Sequence, residues 1–163
     1  MKVPFSQKKY LIMFLIVIGL IAFLAYQDTV GATMWKSIGG WEGEAYTTAM
    51  PIYMQQFWLF AFVLGGVLAG VYYLFRKDKS ETLAIFASFT VLVFAGLEDL
   101  FFYIFKGIPL DADMNWLYQS PMMGFIARLM GESTVTPTTL IVSVLVGFII
   151  TYFIFIKLKK AKW

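Results

Sequence analysis

The sequence predicts an all-α integral membrane protein: a four-transmembrane-helix bundle with both termini cytoplasmic and a short interfacial or re-entrant helix in the outer loop between helices three and four. Three observations predict it. Hydrophobic residues make up 60% of the 163 residues and charged residues 14%, against about half and a quarter in soluble domains. The excess is gathered into four blocks, 10–26, 53–75, 83–105 and 138–156. Each is close to the roughly 20 apolar residues that cross about 30 Å of hydrocarbon. The basic residues are also sorted by side. Ten of the 13 Lys and Arg (Lys2, Lys8, Lys9, Arg76, Lys77, Lys79, Lys157, Lys159, Lys160 and Lys162) fall on the side that holds both termini, and three (Lys36, Lys106 and Arg128) on the other. Basic loops stay in the cytoplasm, so that side is the inside and the chain is a single multi-pass domain of the plasma membrane.

The first block follows Lys8 and Lys9. Val30-Gly31-Ala32 offers a signal-peptidase pattern, but the apolar run is longer than a signal core and Ala32 lies well past its end. An uncleaved anchor is expected. Residues 27–52 then form an outer loop, with Gly39-Gly40 and Gly43 as breakers. Pro51 suits the first turn of the second helix. That helix carries Gly65, Gly66 and Gly70, and the Gly66/Gly70 spacing permits close helix contact.

Arg76-Lys77-Asp78-Lys79 makes a tight inner turn, with Ser80 as the expected cap of the third helix. In the outer loop 106–137, Ser120-Pro121 reads as a cap and first-turn proline, and Gly131 as a stop. Residues 122–130 between them are apolar apart from Arg128, too few to span and suited to an interfacial or re-entrant helix. Thr136-Pro137 opens the fourth helix. Ser143 and Gly147 there, with Ala95 on the third, supply small-residue contact faces.

The chain has no cysteine and no histidine. Disulfides, Cys/His metal sites, His-ligated haem and Ser-His or Cys-His nucleophiles are therefore excluded. No metal-ligand spacing and no nucleotide-binding glycine loop occurs, so neither metal nor cofactor is expected, and nucleic acid is not an expected partner.

The informative residues are Glu98 and Asp99, inside the third apolar block. Glu98 lies about 15 residues past the block's start, roughly 22 Å along a helix, in the outer third of the bilayer. A charge there costs on the order of a few kcal/mol. At 100° per residue the two acids straddle the stripe of Ala84, Ser88 and Ala95, so both point into the bundle. Gln55 continues the glycine face of the second helix, with Gln56 beside it, and Asp28 closes the first helix at a similar depth. These residues predict an outward-facing polar pocket, floored by Glu98, Asp99 and Gln55 and walled by Trp58, Phe101, Phe102 and Tyr103. Arg128 is the expected cation for one of the acids. The other acid of such a close pair can hold a proton.

Leu97-Glu98-Asp99-Leu100-Phe101-Phe102 resembles the acidic motif, followed by aromatics, of the small membrane-bound carotenoid (lycopene) cyclases of bacteria and archaea. The resemblance covers six residues, with Gly96 where that family's proline precedes the acids by two. It implies that paired membrane acids can protonate an apolar polyene.

Three functions are compatible with this reading. The first is a non-catalytic accessory, assembly or binding component, whose partners are membrane lipids, another membrane subunit or a second copy. The second is a membrane-embedded enzyme using Glu98 and Asp99 as acid and base on a lipid or isoprenoid. The third is an ion or proton pathway, which needs an oligomer because no charged group continues the path through the inner half of the bundle.

Overall fold

The computed structural model describes residues 5–37 and 43–160, and among them it is all-helical. The helices are α1 (Phe5–Ser37), α2 (Gly43–Arg76), α3 (Lys79–Phe94), α4 (Leu97–Lys106), α5 (Pro121–Leu129) and α6 (Pro137–Lys160), with a 3-10 turn at Asn115–Gln119. Three of them contain stretches long and apolar enough to cross a membrane: Lys9–Met34, Gln55–Arg76 and Pro137–Lys157. A fourth arises if α3 and α4, bent by 61° at the break between them, are one span.

The break is the main departure from the expected straight helix over 83–105. Ala95 caps α3, and Gly96 follows with φ 85°, the left-handed region that an L side chain enters at a cost of roughly 1–2 kcal/mol. The amide of Leu100 restarts the helical pattern by donating to Gly96 O. A break strands carbonyls of the last turn. Ser120 Oγ, at the N-cap of α5, donates to Phe94 O at 3.0 Å. Ser120 thus sits in the cap position the sequence suggests, but its hydroxyl makes no cap bond and serves α3 instead. Ser120→Ala is expected to destabilise the fold by about 1–2 kcal/mol, because it leaves a buried carbonyl unpaired; denaturant unfolding in mild detergent measures it.

α1 also differs from expectation. It runs past residue 26 to Ser37, so most of the expected loop 27–52 is helical. The hydroxyls of Thr29 and Thr33 donate to Ala25 O and Thr29 O, one turn back, which keeps this polar segment within the helical hydrogen-bond pattern. α2 already begins at Gly43, which is not a breaker, and Pro51 lies two turns inside it. Gly39 and Gly40 lie outside the described residues. At the 76–80 turn the cap is Asp78 rather than Ser80. Its carboxylate accepts from Glu81 N at 3.0 Å and from Ser80 Oγ at 2.8 Å. The backbone bond from Glu81 is the main reason its pKa is lowered.

α3 packs on α1, α2 and α6, α4 packs on α1, and α5 packs on α6 and the 3-10 turn. Tyr10 meets Phe155 and Phe14 meets Phe148 edge-on or tilted, with centroids 6.3 and 5.9 Å apart. The start of α1 and the end of α6 therefore share one end of the bundle, the lysine-rich end. The core between the ends is apolar, with Met13, Val17, Ile21 and Leu24 of α1 against Ile85, Phe89 and Leu92 of α3, all buried.

Small residues set the closest approaches, though not all the expected ones. A Cβ on Gly147 would fall 2.6 Å from Ala95 Cβ, and one on Gly65 would fall 2.6 Å from the Phe89 ring. A Cβ on Gly66 or Gly70 would meet nothing within 4 Å. Both are exposed, so among the described residues the Gly66/Gly70 face makes no close helix contact; Gly65, next to it, turns to α3. Ser143 is buried with its hydroxyl unpartnered.

Candidate functional site

Glu98 and Asp99 occupy the first turn of α4, just past the break. Gly96 is wedged at this point: a Cβ there would fall 2.4 Å from Leu140 Cδ1 and 2.5 Å from Met123 Sδ. With Ala95 against Gly147, this places the break beside the segment 140–147 of α6. That is roughly 5–15 Å from the helix start at 1.5 Å per residue. The bend swings α4 across α1 and carries both acids with it.

Glu98 is 3% exposed, and its Oε1 has no hydrogen-bond partner. Asp99 is half-buried. The third member of the cluster is Asp28 on α1, whose charge acts on both Glu98 and Asp99. Asp28 is itself half-buried, with a sealed and unpartnered Oδ1. Lys106, at the end of α4, acts on Asp28 through space, but among the described residues no ion pair joins it to any of the three acids. Its ammonium lies 4.7 Å from the centre of the Phe102 ring.

The residues expected around the acids separate into two groups. Phe101 and Phe102 lie half-buried on α4 with the acids. Tyr103 is buried and donates to Asp111 Oδ2 at 2.7 Å. Trp58 reaches the break from α2, with its ring 5.2 Å from Phe94. Gln55 and Gln56 are exposed. Arg128 is exposed too and lies 5.5 Å over the Tyr118 ring. Among the described residues no hydrogen bond or ion pair joins these three to Glu98 or Asp99. The reason is geometric. The bend brings α4 against α1, whereas Arg128 stays exposed over the Tyr118 ring of the 3-10 turn. Gln55 is thus exposed and makes no bond to the acids, while α1, which carries Asp28, packs on α4.

No family model, curated protein or solved structure matches this chain. The chemistry of the site follows from its own residues. Among the described residues no group of three acids is placed to hold a metal ion. Glu98 is a buried carboxyl with one unpartnered oxygen, and a carboxyl so placed can take up or release a proton.

A second polar cluster lies at the lysine-rich end. Glu81 is 9% exposed. Lys9 Nζ of α1 pairs with its Oε1, and Tyr72 OH of α2 donates to its Oε2 at 2.6 Å. A cavity of about 60 Å³, bordered by Tyr10, Asp78, Ser80, Glu81 and Phe155, adjoins it. Glu81 is not among the residues the sequence singles out. The available signal was an acid in the first turn of an apolar helix, facing a lysine at the matching depth of α1. Breaking a buried pair costs about 3–5 kcal/mol, less where one side chain is partly solvated, and the Lys9 side chain keeps 30% exposure. Lys9→Met is expected to destabilise by about 2 kcal/mol, and Lys9→Met with Glu81→Met to recover most of it. Unfolding of both variants in detergent checks the pair.

Proposed function

We propose that the protein crosses the plasma membrane four times, α3 and α4 forming one broken span, with both termini cytoplasmic. In this arrangement it performs acid–base chemistry on a lipid or isoprenoid substrate. Glu98 is the proton donor and acceptor, and Asp99 is its partner. The observation that carries this reading is the near-complete burial of a carboxyl whose Oε1 has no partner, next in sequence to a second acid, with no ion pair to either among the described residues. A structural ion pair with Arg128 was the plain alternative, and Arg128 lies on Tyr118. The bias of basic residues supports the orientation, and the short likeness of 97–102 to carotenoid cyclases supports an apolar substrate.

A proton or ion pathway through a single copy has no support along the α1–α3 interface. There Ile85, Phe89 and Leu92 meet Val17, Ile21 and Leu24, a mostly apolar layer between Glu81 and Glu98. The accessory-component reading has one specific observation in its favour. The Gly66/Gly70 face of α2 is open and flanked by the exposed Val63 and Val67, which suits close approach of another membrane helix.

The test is solvent labelling. Membranes containing the protein are incubated in heavy water with lycopene, and in parallel with lipids extracted from the native membrane. Protonation at carbon transfers deuterium to the product, which mass spectrometry detects. Protein-dependent deuterium at carbon supports the reading. Its absence across both substrate sets removes it and leaves the accessory role.

A further inference from the structure

α4 lies along α1, and the edge-on contact of Tyr26 with Phe105, centroids 6.3 Å apart, ties the two helices together beside the acids. Asp28 follows Tyr26 by two residues. It occupies a boundary: the residue as a whole is half-exposed, yet its Oδ1 is sealed and accepts no hydrogen bond. Glu98, by contrast, is closed off almost entirely. A group that exchanges protons on every cycle needs a route to water, and Glu98 has none of its own.

The charged groups of the elements packed on α1 define that route. α4, which packs on α1, carries Glu98 and Asp99 in its first turn and Lys106 in its last. α3, the other helix packed on α1, offers Lys79, which is exposed, and Glu81, which is held by Lys9; both lie at the opposite end. α6 meets α1 through Phe148 and Phe155, and its Lys157 lies at that opposite end as well. On α1 itself Lys36 is two turns further out and exposed.

We infer that Asp28 is a proton-relay residue, linking the buried Glu98–Asp99 pair to water at the outer surface. This rests on the acid–base reading of Glu98. When the Glu98 O–H bond breaks and its proton forms a C–H bond on the substrate, a carboxylate remains in an apolar site. The Asp28 carboxylic acid then gives up its proton, which passes to the Glu98–Asp99 pair through water, since no hydrogen bond joins the acids directly. The Asp28 carboxylate, eased by the Lys106 ammonium, takes a proton from the outer solution. One proton moves from water to substrate per cycle, and each acid returns to its starting state. A deprotonation step runs the same path in reverse. Asp28 acts through Glu98 and touches no reacting atom.

The test follows hydrogen–deuterium exchange of the protonated-carboxyl infrared band of the full chain in lipid nanodiscs. The Glu98 contribution is the part of the band lost in Glu98→Gln. Asp28→Asn is expected to slow exchange of that part by about tenfold or more, and Asp28→Glu to restore it. Unchanged exchange in Asp28→Asn overturns the relay and leaves the acid–base reading standing. A wild-type band with no contribution from Glu98 overturns that reading and the relay with it. If the Asn variant does not fold, wild-type protein is labelled at Asp28 with a water-soluble carbodiimide, and the site is confirmed by mass spectrometry. Exchange of Glu98 must then slow in the labelled fraction, and an unchanged rate overturns the relay.

Discussion

Glu98→Gln is expected to reduce solvent deuterium transfer to substrate by about 10²- to 10⁴-fold, the usual contribution of a positioned general acid, while the fold persists. The two effects separate because of what Glu98 does not do. Its Oε1 makes no hydrogen bond, so an amide of the same shape loses nothing at that atom. Removing one of three neighbouring acids also relieves like-charge repulsion, so denaturant stability should be unchanged or raised. Asp99→Asn should lower the rate less, because Asp99 is only half-buried and acts as partner to the group that delivers the proton. Both variants should bind lipid as the wild type does, since neither substitution removes an aromatic ring of α4. Full turnover in both variants would remove the carboxyls from the chemistry altogether.

How far the sequence reaches depends on which force sets each feature. Apolar blocks are legible because hydrocarbon demands about 20 apolar residues whatever the neighbours are. The same signal marks where apolar character ends, not where the helix ends. α1 therefore overruns residue 26 through Thr29 and Thr33, whose hydroxyls bond back into the helix. The break at Ala95-Gly96 was hidden because a glycine in an apolar run reads as a packing residue. What makes it a break is Ser120 meeting the Phe94 carbonyl and the crowding by Leu140 and Met123, contacts across 26 to 44 residues of sequence. Within the site, the inward bearing of Glu98 was legible from helical periodicity, but its partner was not. Pairing by charge alone assigns Arg128 to one of the two acids, whereas the bend packs α4 on α1, the helix of Asp28. Glu81 was missed for the same reason, since its cation stands 72 residues earlier.

Gly96→Ala is expected to destabilise the protein by about 3 kcal/mol, from two separable sources. The first is backbone strain of roughly 1–2 kcal/mol, because Gly96 holds φ at 85° and an L residue pays for that conformation. The second is overpacking of roughly 1–3 kcal/mol, because the new methyl would lie 2.4 Å from Leu140 Cδ1 and 2.5 Å from Met123 Sδ. Both neighbours are ends of flexible side chains, so shortening one should recover the steric part and leave the strain. Gly96→Ala with Met123→Ala should therefore be less destabilised than the sum of the two single variants, and the shortfall measures the coupling. Gly66→Ala is the control. Its methyl would meet nothing, and replacing a mid-helix glycine should be neutral or stabilise by up to about 1 kcal/mol. Equal stability of Gly96→Ala and wild type would show that α3 and α4 can run on as one straight helix. In that case the bend would not hold Glu98 against Asp28, and the acid cluster would lose its geometric basis.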